Sequence, residues 1–321
     1  MSRSTRIQML DFDSLEEDEQ KLQQRRIFMY SPAAIRAAAE VDRRMVNYQA
    51  FADAMQGIDR VFQLGRELTV QQGLSVTGPS GSGKTALARY FLSSLPKSTL
   101  FEDGYGAFAI RLPSRPTVGQ VVGTLLRRLR YPFPQVNGRT LDAKRQVLID
   151  AFGQKGTRLI FVDEAHHLLA QGRAHARDAA VFGNVSDLLR ELMDEARVAL
   201  VLLGTDELDE LARIDEHLAN RVSARLQLKG LDSPAHWHGF VRSFIRSSSA
   251  VDLGFLSAPV EAQRLYTATH ANLRSFKRLV TEAVLVALDD GKKAVAVEHL
   301  RLAYDRVNGK DAGVENPYAA G

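Results

Sequence analysis

A glycine-rich loop is the feature that most constrains this chain. Residues Gly78-Pro79-Ser80-Gly81-Ser82-Gly83-Lys84-Thr85 match the pattern G-x-x-x-x-G-K-[ST] at every fixed position, between a short apolar run and a helix-forming run that starts at Ala86. In such a loop the backbone N–H groups face one anion, and the following helix points its positive end at the same site. The sequence therefore predicts that Gly78 to Ala86 bind a nucleoside triphosphate, with Lys84 at the β- and γ-phosphates and Thr85 as a ligand of Mg²⁺.

Apolar runs that alternate with helix-like segments along the chain predict a sheet of parallel strands. Strands that are apolar nearly throughout are typical of a parallel sheet covered on both faces. The predicted strands are Leu74–Thr77, Ala107–Leu112, Leu159–Val162, Val198–Gly204 and Leu226–Leu228. Ahead of them, residues Ser31 to Met55 suit a helix, with Ser31 as its N-cap and Pro32 at its first position.

Strand signals stop after Gly230, and helical ones replace them. The later helices are predicted near Ala235–Ser247, Pro259–His270, Leu273–Leu288 and Val297–Val307. We therefore expect an α/β fold, with a five-stranded parallel sheet flanked by helices and a small C-terminal helical lid domain. The expected domains are a partly disordered partner-binding extension at 1–50, an α/β nucleotide-binding domain at 51–229, the helical lid at 230–307 and a flexible tail at 308–321.

A second chemical motif is the pair of carboxylates that ends the third predicted strand. Asp163 is placed to hold Mg²⁺, and Glu164 to orient and deprotonate the water that attacks a γ-phosphate. Ligands of open α/β sheets bind beyond the carboxyl ends of the strands, where this pair and the phosphate loop both lie. The alternative is a strand that ends in a solvated acidic turn.

Thr205 follows the fourth predicted strand at the same edge. Its hydroxyl is placed to sense the γ-phosphate or the attacking water, while Asp206 is a plausible cap of the next helix. The two residues are read equally well as the start of that helix.

The arginines that follow Thr205 in the chain have no evident function in an isolated subunit. Arg221 is the first candidate for an arginine that reaches the γ-phosphate held by an adjacent subunit, and Arg225 is the second. Such a contact would make hydrolysis depend on assembly. The alternative is a surface salt bridge of Arg221 with Asp215 or Glu216. In the helical region, Arg274 and Arg278 are each placed to reach back over the nucleotide.

The order of these motifs resembles that of the AAA+ ATPase superfamily. Within it the chain resembles the transposition ATPases of the TniB/TnsC family, and more distantly MuB and IstB, from about Ser31 to Val307. The residues that carry the resemblance are Arg111-Leu112-Pro113-Ser114-Arg115-Pro116-Thr117, Val162-Asp163-Glu164-Ala165-His166-His167-Leu168-Leu169, Gly204-Thr205 and His217-Leu218-Ala219-Asn220-Arg221.

The resemblance implies a bacterial regulator of DNA transposition. It implies ATP-dependent assembly of a ring or helical filament on double-stranded target DNA without sequence preference, recruitment of a DDE-type transposase and disassembly on slow, assembly-dependent ATP hydrolysis. By the same resemblance Thr205 is the first sensor, Arg221 the arginine finger and Arg274 the second sensor. The chain departs from the family at Ala271, where many relatives have Gly, and in carrying Arg225 close to Arg221.

The DNA-contacting surface has no motif of its own, as expected of a protein that follows phosphates without reading bases. Arg115, Arg173 and Arg177 are the candidate DNA contacts, with solvated loop charges as the alternative. Residues 1 to about 28 are acidic and then basic, which suits a segment that docks a transposase or a TniQ-like targeting protein.

Composition narrows the remaining classes. The chain has no cysteine, which excludes disulfides and thiolate-bound metal, and its net charge of +4 permits contact with nucleic acid without requiring it. With no signal-peptide-like or membrane-spanning run, we expect a soluble cytoplasmic protein without a membrane partner. The run Asp163-Glu164-Ala165-His166 matches a motif of superfamily-2 helicases. Those helicases need two RecA-like domains, and the sequence shows no second one, so this class is rejected.

Two alternatives stay open. One is a partner-remodelling ATPase of the secretion-linked or helicase-loader type, and the other is a nucleotide-binding adaptor with negligible turnover.

Overall fold

The sheet is the centre of the fold. The computed structural model describes residues 30–65, 67–100, 104–170, 184–231, 233–246, 251–309 and 315–319. Its strands are β1 Leu74–Thr77, β2 Ala107–Arg111, β3 Leu159–Asp163, β4 Ala199–Gly204 and β5 Ala224–Gln227. All neighbouring strands are parallel and their order is β2-β3-β4-β1-β5. The predicted five-stranded parallel sheet is confirmed, although the fifth strand begins two residues earlier than the predicted Leu226.

Helices connect and flank these strands. They are α1 Pro32–Arg43, α2 Gln49–Leu64, α3 Lys84–Ser94, α4 Val118–Arg128, α5 Leu141–Lys155, α6 Val185–Asp194, α7 Leu211–Ile214, α8 Glu216–Arg221, α9 Pro234–Arg246, α10 Pro259–Thr269, α11 Leu273–Asp289 and α12 Val297–Asn308. Short 3-10 helices cover Ala165–Ala170, Asp206–Glu210 and Gly254–Ser257. In the described part of the chain, no helix has the length and apolarity to cross a membrane.

The single helix predicted over Ser31 to Met55 is wrong in one respect. Its start is right, because the Ser31 hydroxyl accepts from the backbone N–H of Ala34 and Pro32 is the first helical residue. The helix stops at Arg43, however, because Arg44 adopts an extended backbone, and a new helix starts at Gln49. The intervening residues contain neither glycine nor proline, so the sequence carries no strong signal for the break.

Each face of the sheet is covered by its own apolar cluster. One cluster includes Phe108, Ile160 and Leu200 and continues into the buried sides of α4, α5 and α6. The other includes Phe161 and Val201 and is completed by α2 and α3. Because β3 and β4 are buried at every position, they read in the sequence as continuous apolar runs.

Contacts divide the chain into two compact units. The sheet unit comprises residues 45–240 together with Thr269–Ser275, and the helical unit comprises residues 1–44, 241–268 and 276–321. In the helical unit, the rings of Phe244 and Phe276 meet edge to face at a centroid distance of 5.0 Å. Tyr318 is also buried there, and Asn316 nearby donates to the carbonyl of Arg301 at 3.0 Å. The predicted domain limits at 50, 229 and 307 stay predictions.

Candidate nucleotide site

The phosphate loop connects β1 to α3, as its sequence pattern predicts. Gly78 has φ of +156°, and a Cβ at this position would lie 2.5 Å from the carbonyl oxygen of Leu228, so a side chain does not fit. Lys84 is the first residue of α3, and its Nζ donates to the carbonyls of Gly78 at 2.7 Å and Pro79 at 2.9 Å. The ammonium group therefore lies within the loop, where a bound phosphate would meet it.

Two effects of opposite sign act on the pKa of the Lys84 ammonium group. Burial lowers the pKa of its ammonium group, and the nearby carboxylates of Glu164 and Asp163 raise it. A triphosphate in the loop would add further negative charge and so favour the protonated form.

Thr85 and Asp163 meet directly across the edge of the sheet. The Thr85 hydroxyl, in the first turn of α3, donates to Oδ2 of Asp163 at 2.9 Å. Hydroxyl and carboxylate oxygens are the ligands that Mg²⁺ prefers, and the ion usually completes its octahedron with phosphate oxygens and water. The pair fits the predicted magnesium site in chemistry and placement. Among the described residues, no group of three or more His, Asp or Glu side chains converges as a metal site.

Glu164 is held in a conformation that favours glycine. Its φ is +56°, and its backbone N–H donates to Oδ1 of Asp163 at 3.0 Å. Non-glycine residues in this region store strain and are concentrated at functional sites. The turn directs the side chain of Glu164 away from the strand and toward the end of β2.

Two side chains approach the carboxylate of Glu164. Arg111, which ends β2 in register with Asp163, donates from Nη2 to Oε1 at 2.9 Å. Because the Arg111 side chain is 73% exposed, this ion pair is worth at most about 1 kcal/mol and breaks readily. On the other side, Nδ1 of His166 lies 3.6 Å from Oε2, and burial lowers the pKa of that imidazole. Glu164 is thus held by a weak and reversible set of contacts.

Thr205 lies at the end of the strand that separates β1 from β3. The register pairs Gly204 with Thr77 and Leu203 with Asp163, so Thr205 follows between the phosphate loop and the acidic pair. Its Oγ1 is buried and has no hydrogen-bond partner among the residues that the structure describes. A buried hydroxyl without a partner costs free energy, which favours a ligand-sensing role. The helix-start alternative also agrees with the structure, because Asp206 begins the 3-10 helix Asp206–Glu210 and Thr205 is its N-cap residue. The Thr205 side chain makes no capping bond, however, and Asp206 accepts from Gln227 at 3.3 Å.

The two candidate finger arginines lie close in sequence and have different partners. Arg221 ends α8 and pairs with Asp194, and Arg225 lies in β5 and pairs with Asp209 at 3.6 Å. The alternative pairing of Arg221 with Asp215 is not observed. Asp215 instead caps α8, accepting from the N–H of Leu218 at 2.9 Å.

The start of α11 contacts the phosphate loop within the sheet unit. Nη1 of Arg274 lies 3.4 Å from the hydroxyl of Ser80, and Nδ2 of Asn272 donates to the Ser80 carbonyl at 2.7 Å. Arg274 is therefore beside the loop, and its role as second sensor stays a prediction. Arg278 is exposed and belongs to the helical unit.

A row of aromatic rings lies next to the loop. The hydroxyl of Tyr48 donates to the Ser82 carbonyl at 3.4 Å, and burial raises the pKa of Tyr48 to about 12. The Tyr48 ring meets Phe240 edge to face at 6.1 Å, and Phe240 stacks on Trp237 at 5.7 Å. Trp237 and Phe240 are thus packing residues of the sheet unit, while Phe244 packs in the helical unit.

Of the candidate DNA contacts, only one falls on described residues. Arg115 is exposed in the loop between β2 and α4. Arg173 and Arg177 lie outside the described residues.

The sequence did not reveal Arg111 or Asn272 as neighbours of the site. Arg111 had a usable signal, because it closes a strand adjacent to the one that carries Glu164. Asn272 had a weaker one, since Asn before a helix is a common N-cap.

Comparison with curated proteins gives one remote relative. The general secretion pathway protein A of Aeromonas hydrophila is 27% identical over 244 residues, which cover 74% of this chain and 41% of that protein. The chain therefore spans less than half the length of this relative.

Several solved structures have a similar fold. The ORC2 protein of Aeropyrum pernix, in ADPNP–ADP complexes, gives a TM-score of 0.59 at 14% identity, over 82% of this chain and 68% of that chain. The ORC1 protein of Aeropyrum pernix, in complex with DNA, gives 0.57 at 16% identity, over 84% and 67%. Cdc6p from Pyrobaculum aerophilum gives 0.53 at 16% identity, over 82% and 69%.

These likenesses show the fold of AAA+ ATPases, in agreement with the parallel sheet and the position of the phosphate loop. A family model described as "Bacterial TniB protein" matches residues 36–229, which is more than half of the 321 residues. The chain belongs to the TniB family.

Proposed function

We propose that the protein is an ATPase that assembles on double-stranded DNA when it holds ATP and recruits a DDE-type transposase to that DNA. Hydrolysis to ADP and phosphate then releases the assembly. The observation that carries the nucleotide chemistry is the convergence of Lys84, Thr85, Asp163, Glu164 and Thr205 at one edge of the sheet. TniB membership and the resemblance to transposition ATPases support the remaining steps.

The residues divide the work of phosphoryl transfer among them. Lys84 and the loop N–H groups bind the phosphates, and Thr85 and Asp163 would hold Mg²⁺, which neutralises phosphate charge when bound. Glu164 accepts a proton from the attacking water, and the bond between the γ-phosphorus and the bridging oxygen breaks. Thr205, with its unpaired hydroxyl, is placed to hydrogen-bond to the γ-phosphate or to that water.

A basic stretch supports the DNA-binding step. Residues 111–145 contain eight Lys or Arg and one Asp or Glu, whereas the whole chain has 42 and 38. Arg115, Arg127 and Arg139 in this stretch are exposed. Exposed arginines of this kind suit sequence-independent contact with phosphates, which is strongly salt-dependent. One of the structures with a similar fold, ORC1 of Aeropyrum pernix, was solved in complex with DNA.

Assembly gives Arg221 a role. Within one chain its guanidinium pairs with Asp194. We propose that in a ring or filament it reaches the γ-phosphate held by the adjacent subunit, so that turnover stays slow until subunits associate. A TniQ-like targeting protein is a further proposed partner.

The decisive experiment is fluorescence anisotropy of a labelled random-sequence duplex. The full chain is titrated with Mg²⁺ and either a non-hydrolysable ATP analogue or ADP. We expect cooperative binding with the analogue and weak binding with ADP. Equal binding in both states, or none in either, would contradict the DNA-assembly proposal.

The second candidate is a partner-remodelling ATPase that has the same nucleotide site and forms no DNA filament. It is favoured by the similarity to general secretion pathway protein A of Aeromonas hydrophila. ATP-dependent self-association that occurs equally with and without the duplex, measured by light scattering, would favour this candidate.

A further inference from the structure

Asn272 makes three hydrogen bonds that join two parts of the sheet unit. Its Nδ2 donates to the carbonyl of Ser80 in the phosphate loop at 2.7 Å. Its Oδ1 accepts from the backbone N–H groups of Arg274 at 3.1 Å and Ser275 at 3.2 Å, which makes Asn272 the N-cap of α11. One side-chain amide therefore caps the segment that carries Arg274 and also binds the loop.

The orientation of this amide is fixed by its partners. Two N–H donors face Oδ1 and one carbonyl faces Nδ2, and a flipped amide would oppose like groups at all three contacts. Only an uncharged amide meets both requirements at this position. A carboxylate would cap the helix equally well but has no proton to donate to the Ser80 carbonyl.

The loop leaves space for this side chain at Gly81. A Cβ on Gly81 would lie 2.4 Å from Oδ1 and 2.6 Å from Nδ2 of Asn272, and the φ of +82° also disfavours any other residue. The side chain of Asn272 therefore occupies the space that a Cβ on Gly81 would need.

The turn that delivers Asn272 is strained. His270 and Ala271 have φ of +50° and +54°, two consecutive left-handed residues that are not glycine. The turn is closed by the N–H of Asn272, which donates to the carbonyl of Thr269 at 3.0 Å. Strain of this kind persists only where the surrounding contacts determine the conformation, and the bonds of Asn272 supply such contacts.

We propose that Asn272 is a positioning residue that sets Arg274 against the phosphate loop. Without the bond to Ser80 the first turn of α11 keeps its cap but is no longer held in position relative to the phosphate loop. Arg274 then no longer lies beside the phosphates. This inference rests on the proposed binding of ATP at the loop and deepens it, because it names the residue through which Arg274 acts.

The test measures the Asn272→Asp variant against the wild-type protein in the full chain. Binding of a fluorescent ATP analogue with Mg²⁺ gives the affinity, and thermal melting followed by circular dichroism gives the stability. We expect Asn272→Asp to melt close to the wild-type temperature because the cap is kept, and to bind the analogue about three- to tenfold more weakly because the bond to Ser80 is lost. Wild-type affinity in Asn272→Asp would show a capping role only and would overturn the inference.

Arg274→Ala, alone and combined with Asn272→Asp, separates positioning from a direct effect on the loop. If Asn272 acts through Arg274, the double variant binds no more weakly than Arg274→Ala alone. Independent losses that multiply would overturn the positioning role. Failure of the wild-type chain to bind the analogue at all would instead overturn the proposed function itself.

Discussion

At the scale of single residues, the proposed base Glu164 is held by contacts that break readily. Its carboxylate contacts Arg111 at 2.9 Å, through an ion pair that solvent weakens. Its backbone is in the left-handed region, where non-glycine residues are concentrated at functional sites. The same carboxylate can exchange the guanidinium for water at little cost.

Replacing Glu164 with Gln tests this assignment. The amide still accepts a hydrogen bond from Arg111 but cannot take a proton from water, so we expect hydrolysis to fall by about 10²–10⁴-fold while ATP binding is kept. Phosphate release and analogue binding measure the two effects separately. Unchanged phosphate release would show that Glu164 is not the base.

Ala271 provides a residue-scale test of stability. In the left-handed region an L-residue costs about 1–2 kcal/mol, and glycine avoids this cost but loses about 0.4–1 kcal/mol through its freer unfolded chain. With φ of +54° at Ala271, we expect Ala271→Gly to raise the free energy of unfolding by up to about 1 kcal/mol.

The matched control is Ala143→Gly in α5, where the backbone is helical and the side chain is exposed. We expect it to lower the free energy of unfolding by about 0.5–1 kcal/mol. Urea titrations of both variants give the comparison. If Ala271→Gly were destabilised as much as the control, left-handed strain at Ala271 would be ruled out.

At the scale of elements, the apolar runs predicted the central strands well. β3 and β4 are buried at every position, which leaves an unambiguous pattern in the sequence. β5 lies at the edge of the sheet and alternates between half-buried and exposed residues, so its start was misplaced. The contacts of Glu164 with Arg111 and of Asn272 with Ser80 join residues 53 and 192 positions apart, and no local pattern encodes them.

Helix α4 depends on its N-terminal cap. Thr117 accepts from the N–H of Gln120 at 3.3 Å, and the Gln120 side chain accepts from the N–H of Thr117 at 3.1 Å. We expect Thr117→Ala to lower the free energy of unfolding by about 1 kcal/mol. Thr124→Ala, in the same helix, removes a hydroxyl that bonds within the helix and serves as the control. Equal losses in urea titrations of the two variants would argue against the cap.

At the scale of the whole molecule, activity is proposed to depend on association. Arg221 is paired within its own chain with Asp194, whereas the same chain brings Lys84 of the phosphate loop and Asp163 at the end of β3 to one edge of the sheet. In the proposed mechanism a subunit supplies its own base, Glu164, and takes its arginine finger from a neighbour.

Mixing two inactive variants tests this arrangement. Arg221→Ala subunits keep Glu164, and Glu164→Gln subunits keep Arg221, so a mixed assembly contains some complete sites. We expect DNA-stimulated phosphate release to be low for each variant alone and partly restored in an equimolar mixture. An Arg213→Ala control, which removes an exposed arginine paired with Glu210, should stay active alone. A mixture no more active than its components would place the finger within the same chain or remove its role.

The aromatic row beside the loop has an optical consequence. Trp237 is the sole tryptophan of the chain, and it connects through Phe240 to Tyr48, whose hydroxyl reaches the Ser82 carbonyl. Light that selectively excites tryptophan therefore excites one indole, two rings away from the phosphate loop. We expect the emission of this indole to change when the loop fills and empties, which makes Trp237 a label-free reporter for stopped-flow measurements.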